Sequence, residues 1–188
     1  MIEIGAEGTD LTHSQMQIWV GQQLHPDCPL YNMAFAFVFP AALEVDRFCA
    51  AWNRVVDTSE VLRTRLVAAA GERRQRIVEP GSCRTTVLDF SQRPDPAAEF
   101  ALWCQERSAR PLALDGDLVD SVLVRLGEGR TGWYLNQHHL ITDAWSTQLL
   151  FSRVGTEYEA LLEDRAADPW RGPDYQETAA ELASRVLE

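Results

Sequence analysis

The spacing of apolar positions changes several times along the chain, and each change marks an element. Leu11, Met16, Trp19, Val20 and Leu24 recur at helical spacing before Pro26 and Pro29 end the pattern. Thr12 and Gln15 have capping-box spacing, in which each side chain satisfies the other's free backbone donor, and Leu11 with Met16 takes the two positions of a hydrophobic staple. Ala34–Phe39 alternates small and large residues, which suits a strand that buries one aromatic face. Val45, Phe48, Cys49, Trp52, Val55 and Val56 return to the helical period. Val61–Val67, Arg74–Val78 and Arg84–Leu88 read as strands, the first two joined by a turn near Gly71.

Asp95 then caps a helix whose first residue is Pro96, and Phe100, Trp103, Cys104 and Arg107 carry it towards Arg110. Leu118–Leu126 and Thr131–Gln137 read as strands around Gly127-Glu128-Gly129, whose glycines permit a tight hairpin. A long helix is expected from Asp143 to Leu162, with Trp145, Leu149, Val154, Tyr158 and Leu161 or Leu162 facing inward. Residues 168–173 form a connector, and the pattern is helical again from Asp174 to Glu188. Helices and strands alternate without strict βαβ regularity. The class expected is therefore α/β, a two-layer sandwich of a mixed sheet and helices.

Composition narrows the function. The 188 residues are 46% hydrophobic and 24% charged, the make-up of one folded domain. With 17 Lys+Arg against 28 Asp+Glu the net charge is −11, which argues against nucleic acid as a partner. Arg73-Arg74-Gln75-Arg76 is a short basic cluster and reads as a solvated strand end. No apolar run reaches the roughly 20 residues of a membrane span. Cys28, Cys49, Cys83 and Cys104 have no zinc-site spacing, and Cys49 and Cys104 sit in apolar helical patterns as small buried hydrophobes. The N-terminal residues lack a signal-peptide pattern, so the expected compartment is the cytoplasm.

The chemistry concentrates in His138-His139-Leu140-Ile141-Thr142-Asp143-Ala144-Trp145-Ser146, between a strand and a helix. Alternation along a strand sends His138 and His139 to opposite faces, one into the fold and one towards a cleft. Asp143 lies where a carboxylate meets free helix-start donors. As a metal site the stretch has too few ligands.

This stretch resembles the HHxxxDG motif of nonribosomal peptide synthetase condensation domains, relatives of chloramphenicol acetyltransferase. Leu11–Trp19 is similar to that family's opening motif, with Tyr31-Asn32 following. Glu60-Val61-Leu62-Arg63-Thr64-Arg65 is similar to its second motif, with Thr58-Ser59 in place of the usual Arg-His pair, and Asp174-Tyr175 to its fourth. The resemblance covers the N-terminal lobe of a two-lobed enzyme. It implies residues 1–172 as that lobe, residues 173–188 as the start of an inter-lobe connector, and an excised or truncated piece that is inactive without its C-terminal lobe.

The resemblance also implies roles. His139 would be the active-site histidine in amide formation between acyl and aminoacyl thioesters, each held on the phosphopantetheine arm of a carrier protein. A neutral imidazole with a pKa of about 6.5 can take the amine proton, or can act by positioning the amine and stabilising charge. His138 would be structural. Asp143 would pair with Arg63, and losing one partner of such a buried pair typically costs about 3–5 kcal/mol. Ala144 replaces the family's Gly and keeps its backbone donor for an oxyanion, provided its φ is negative. No cofactor or metal is implied as bound directly. Two alternatives stand beside this reading: a non-catalytic module that binds carriers, and an ester-forming or CoA-dependent acyltransferase.

Overall fold

The computed structural model describes residues 8–41, 43–69, 72–167 and 174–184. The turn expected near Gly71, the connector 168–173 and the last four residues of the tail helix lie outside the described residues.

Helix α1 (His13–Leu24) begins with both halves of the capping box: the Gln15 amide donates to Thr12 Oγ1, and Thr12 N–H donates to Gln15 Oε1. Its partner elements build a four-stranded mixed sheet in the order β2 (Asn32–Phe39), β7 (Arg130–His138), β6 (Val119–Gly127), β5 (Thr86–Asp89). β6 and β7 form the expected hairpin, and Glu128 and Gly129 both have positive φ, as a type I′ turn requires. β5 runs parallel to β6, which makes the sheet mixed.

A second sheet of three strands has the order β1 (Thr9–Asp10), β4 (Glu72–Ile77), β3 (Thr64–Ala69). The strand expected over Val61–Val67 is shorter at its start, because Glu60–Arg63 winds into a 3-10 turn and ladder pairing begins at Thr64 opposite Ile77. β1 escaped sequence reading; two residues carry no period.

Helices α2 (Val45–Thr58) and α4 (Ala144–Leu162) pack together over one face of the main sheet. Trp133 of β7 is the hub of that core, with the Phe48, Phe37 and Trp52 rings at 5.0, 5.6 and 6.0 Å. This helix-on-sheet pair is the sandwich expected from the sequence. Helix α3 (Pro96–Ser108) adds cover to the opposite face, where Phe100 and Cys104 meet Val122, Val124 and Tyr134. The first turn of α5 (Tyr175–Ser184) packs near the 3-10 turn.

Two helical faces differ from expectation. α4 buries Thr147, Leu150, Val154, Glu157 and Ala160, and leaves Trp145 73% and Leu149 46% exposed, with Leu162 exposed as well. Thr147 and Glu157 can face inward because both are satisfied there, Thr147 by Gln137 and Thr142, Glu157 by Arg153. On α1, Val20 and Leu24 face solvent while Gln15 and Gln22 are buried. Of the two helical cysteines, Cys104 is buried and Cys49 half-buried.

Candidate active site at the His138–His139 turn

β7 stays paired as far as His138, opposite Asn32 of β2. The alternation therefore holds to the strand's end: His138 is fully buried, and His139 is exposed.

The His138 ring is fixed on three sides. The Leu140 N–H donates to its Nδ1 at 3.1 Å, so the ring proton belongs on Nε2, which faces Gln22 Oε1 at 3.5 Å. The Tyr31 ring lies 5.9 Å away. Burial, reinforced by neighbouring His139, pulls the His138 pKa down to about 4, so the ring is neutral at neutral pH. Gln22 extends this anchorage, because its Nε2 donates to the carbonyls of His25 and Cys28 and ties down the segment that leads to Tyr31.

His139 is held by its backbone and by one ring nitrogen. Its N–H donates to the Tyr31 carbonyl at 2.8 Å. Its Nδ1 lies 2.9 Å from the Thr142 carbonyl, and a carbonyl only accepts. The proton therefore sits on Nδ1, and Nε2 presents its lone pair on an exposed ring. A general base needs that state.

Asp143 is the N-cap of α4, and its Oδ1 accepts from Ser146 N–H at 2.7 Å. That bond, with a smaller contribution from His139, holds its carboxyl below the usual range. Asp143 and Arg63 do not pair. Asp143 is exposed, whereas Arg63 is buried in the 3-10 turn, where its guanidinium donates to the Val78 carbonyl and its own carbonyl accepts the Val78 N–H at 2.9 Å. Each residue finds a backbone partner in its own neighbourhood, and the expected ion pair is replaced by two local bonds. Ala144 is the first residue of α4 and has no positive φ, so alanine fits without strain. The amide at that position is among the donors a helix leaves without an intrahelical acceptor.

A directed chain of hydrogen bonds stiffens the turn. Thr142 Oγ1 donates to the Asp143 carbonyl at 3.3 Å, so it accepts from Thr147 Oγ1 at 3.2 Å, and Thr147 accepts from Gln137 Nε2 at 3.2 Å. Sequence reading missed Gln137, Thr147 and Gln22, and placed Gln15 only in the capping box. A polar residue on the inner face of a helix or strand was the available signal. Thr58-Ser59 and Tyr175, which the motifs had singled out, line a cavity of about 580 Å³ beside the turn, together with Ile141, Thr142 and Ser146. Asn32 acts elsewhere, where its Nδ2 donates to the Ser108 and Arg110 carbonyls and caps the end of α3. Among the described residues no group of three or more His, Cys, Asp or Glu could hold a metal ion, and no helix is long and apolar enough to cross a membrane.

The chain is similar to known proteins in sequence and in fold. The sequence model of the condensation domain matches residues 7–187. The chain is 30% identical over 164 residues to a linear gramicidin synthase of Brevibacillus parabrevis, covering 86% of this chain and 3% of that protein. It is 30% identical over 158 residues to the dimodular nonribosomal peptide synthase of Bacillus subtilis strain 168, covering 84% and 7%. In structure it matches the starter condensation domain of the rhizomide synthetase RzmA, solved with C8-CoA, at a TM-score of 0.87 and 29% identity, over 96% of this chain and 42% of that one. The first condensation domain of the CDA synthetase gives 0.81 and 25%, over 94% and 46%.

Fold and motifs together define a condensation-type, chloramphenicol acetyltransferase-like lobe. The chain belongs to the condensation domain family of nonribosomal peptide synthetases, and it spans about half of such a domain and under a tenth of these curated relatives.

Proposed function

We propose that this chain supplies the histidine-bearing half of an acyl-transfer site that joins an aminoacyl acceptor to an acyl donor. The observation that carries the reading is the exposed His139 ring, whose Nδ1 bond to the Thr142 carbonyl leaves Nε2 as the lone-pair nitrogen. The acceptor amine attacks the thioester carbonyl carbon, and Nε2 takes the proton that the amine nitrogen sheds. The C–N bond forms, the C–S bond breaks, and the departing thiolate recovers the proton as a thiol. His138, Asp143 and Arg63 hold the surrounding backbone, and the Ala144 amide is the backbone donor for the oxyanion.

Both substrates would arrive on the phosphopantetheine arms of carrier proteins. Completing the site requires a second lobe, in keeping with the 42% of the rhizomide starter domain that this chain matches. Residues 1–172 would form the lobe and 173–188 the start of the connector. The cavity beside the turn is suited to part of the donor acyl group, since Val61, Ile141 and Leu150 give it apolar walls. That the related starter domain was solved with C8-CoA supports an acyl ligand, and it also favours a second reading, acyl transfer from a CoA thioester.

The test is a two-lobed protein given loaded carriers. Product should form, and His139→Ala should slow it by about 10²–10⁴-fold, the range of general acid–base catalysis. Unchanged turnover in that variant would overturn the assignment. Turnover from acyl-CoA with no carrier present would establish the second reading instead.

A further inference from the structure

Behind the histidine turn lies a buried polar cluster that the chemistry above does not use. Gln15 of α1 and Gln75 of β4 pair amide to amide, Nε2 to Oε1 at 3.0 Å in one direction and 3.2 Å in the other. Both are buried. The second Gln75 hydrogen goes to the Asp10 carbonyl at 3.1 Å, which engages both of its donors. Gln15 Oε1 also accepts Thr12 N–H at 2.9 Å, so this amide cannot rotate without breaking the cap of α1.

The remaining Gln15 hydrogen has two acceptors in reach: the Leu140 carbonyl at 3.3 Å and Tyr175 Oη at 2.9 Å. Tyr175 in turn donates to Gln75 Oε1 at 2.9 Å. Leu140 stands between His139 and Thr142, whose carbonyl holds the His139 ring. Tyr175 is delivered to this place by its own helix start, where Asp174 caps α5 by accepting Glu177 N–H at 3.0 Å and Glu60 accepts Tyr175 N–H at 3.2 Å.

We propose that Gln15 is a positioning residue for His139, and that Gln75 and Tyr175 orient it. The cluster sets where the Leu140 carbonyl sits, and through the turn it sets the Thr142 carbonyl and so the tautomer of His139. The docking of α5 is thereby tied to the protonation geometry of the base. This inference rests on His139 as the base, but its test needs no turnover, so failure of one does not imply failure of the other.

The experiment uses the 188-residue chain labelled with ¹⁵N at its four histidines, read by ring-nitrogen NMR. Tyr175→Phe removes the competing acceptor, so the shared Gln15 hydrogen goes wholly to the Leu140 carbonyl and draws that carbonyl out of its present place. The expected result is a shift of the His139 nitrogens away from the single Nδ1–H pattern, with a cooperative melt retained. Tyr158→Phe removes a hydroxyl that accepts Glu44 N–H elsewhere, and it should leave the His139 signals in place. If Tyr175→Phe does not fold, Asp174→Ala loosens α5 without touching the cluster and should move the same signals in the same direction. Unchanged His139 nitrogens in a folded Tyr175→Phe or Asp174→Ala protein would overturn the proposal, as would an equal shift in Tyr158→Phe.

Discussion

His138 and His139 are neighbours in the chain, yet their ring protons sit on opposite nitrogens. Nδ1 of His138 accepts from a backbone amide, and Nδ1 of His139 donates to a backbone carbonyl. One backbone turn thus fixes both tautomers, leaving one ring sealed in the fold and the other with its basic nitrogen outward.

The sealed ring predicts an acid sensitivity. Unfolded, His138 titrates near 6.5; folded, at about 4. Between those values the unfolded chain binds a proton that the folded one refuses, so stability is complete above about pH 6.5 and falls as pH drops towards 4. The loss is on the order of 3 kcal/mol, at about 1.4 kcal/mol per pH unit. Urea denaturation across this range should show the slope, and His138→Asn should flatten it. A wild-type curve flat from pH 7 to 4 would contradict the buried neutral ring.

Arg63 and Asp143 should behave as independent residues. Asp143→Ala removes an N-cap and should cost about 1 kcal/mol. Arg63→Met, which removes a buried donor from the Val78 carbonyl, should cost about 1–3 kcal/mol. In a double-mutant cycle the coupling should stay within about 0.5 kcal/mol, the additivity expected of sites with no shared partner. Coupling of several kcal/mol would mean that the two side chains meet in solution.

Gly21 keeps Tyr31 in place. A Cβ there would come within 2.0 Å of the Tyr31 hydroxyl, and Tyr31 is the residue whose carbonyl holds the His139 amide. Gly21→Ala should destabilise the chain by about 1–3 kcal/mol, as overpacking does, and should alter amide exchange at His139. A neutral result on both would show that the ring moves aside without disturbing the turn.

At the β6–β7 hairpin Glu128 adopts φ 52°, a left-handed conformation costly for most side chains. Its ion pair with Arg130, 3.3 Å long with Glu128 exposed, offsets little of that. Glu128→Gly or Glu128→Asn should raise stability by up to about 1 kcal/mol, a Tm gain of about 2–4 °C for a chain of this size. A lower Tm in both variants would contradict it.

Much of this structure is written locally in the chain. The Thr12/Gln15 box, the Asp95 cap on Ala98 N–H and the glycine-flanked hairpin all fall where residue spacing puts them, because each depends on neighbours a few positions away. The division between His138 and His139 was legible for the same reason. The inward face of α4 was not, since counting apolar residues overlooks Thr147 and Glu157, whose burial depends on partners in other elements or a turn away. Gln15 meets Gln75 across 60 positions and Leu140 across 125, and no periodicity reports a bond between two amides so far apart.

Gln15 grips the turn at the Leu140 carbonyl, and Gln22, on the same helix, grips it at the His138 ring. Seven residues of α-helix (22 − 15) span about 10 Å. α1 therefore works as a ruler laid against the histidines, with a polar mark at each end. Sliding it by one residue would turn both marks away by about 100°. Its apolar residues Met16, Ile18 and Trp19 hold it against the core, while its two amides set the gauge for the site.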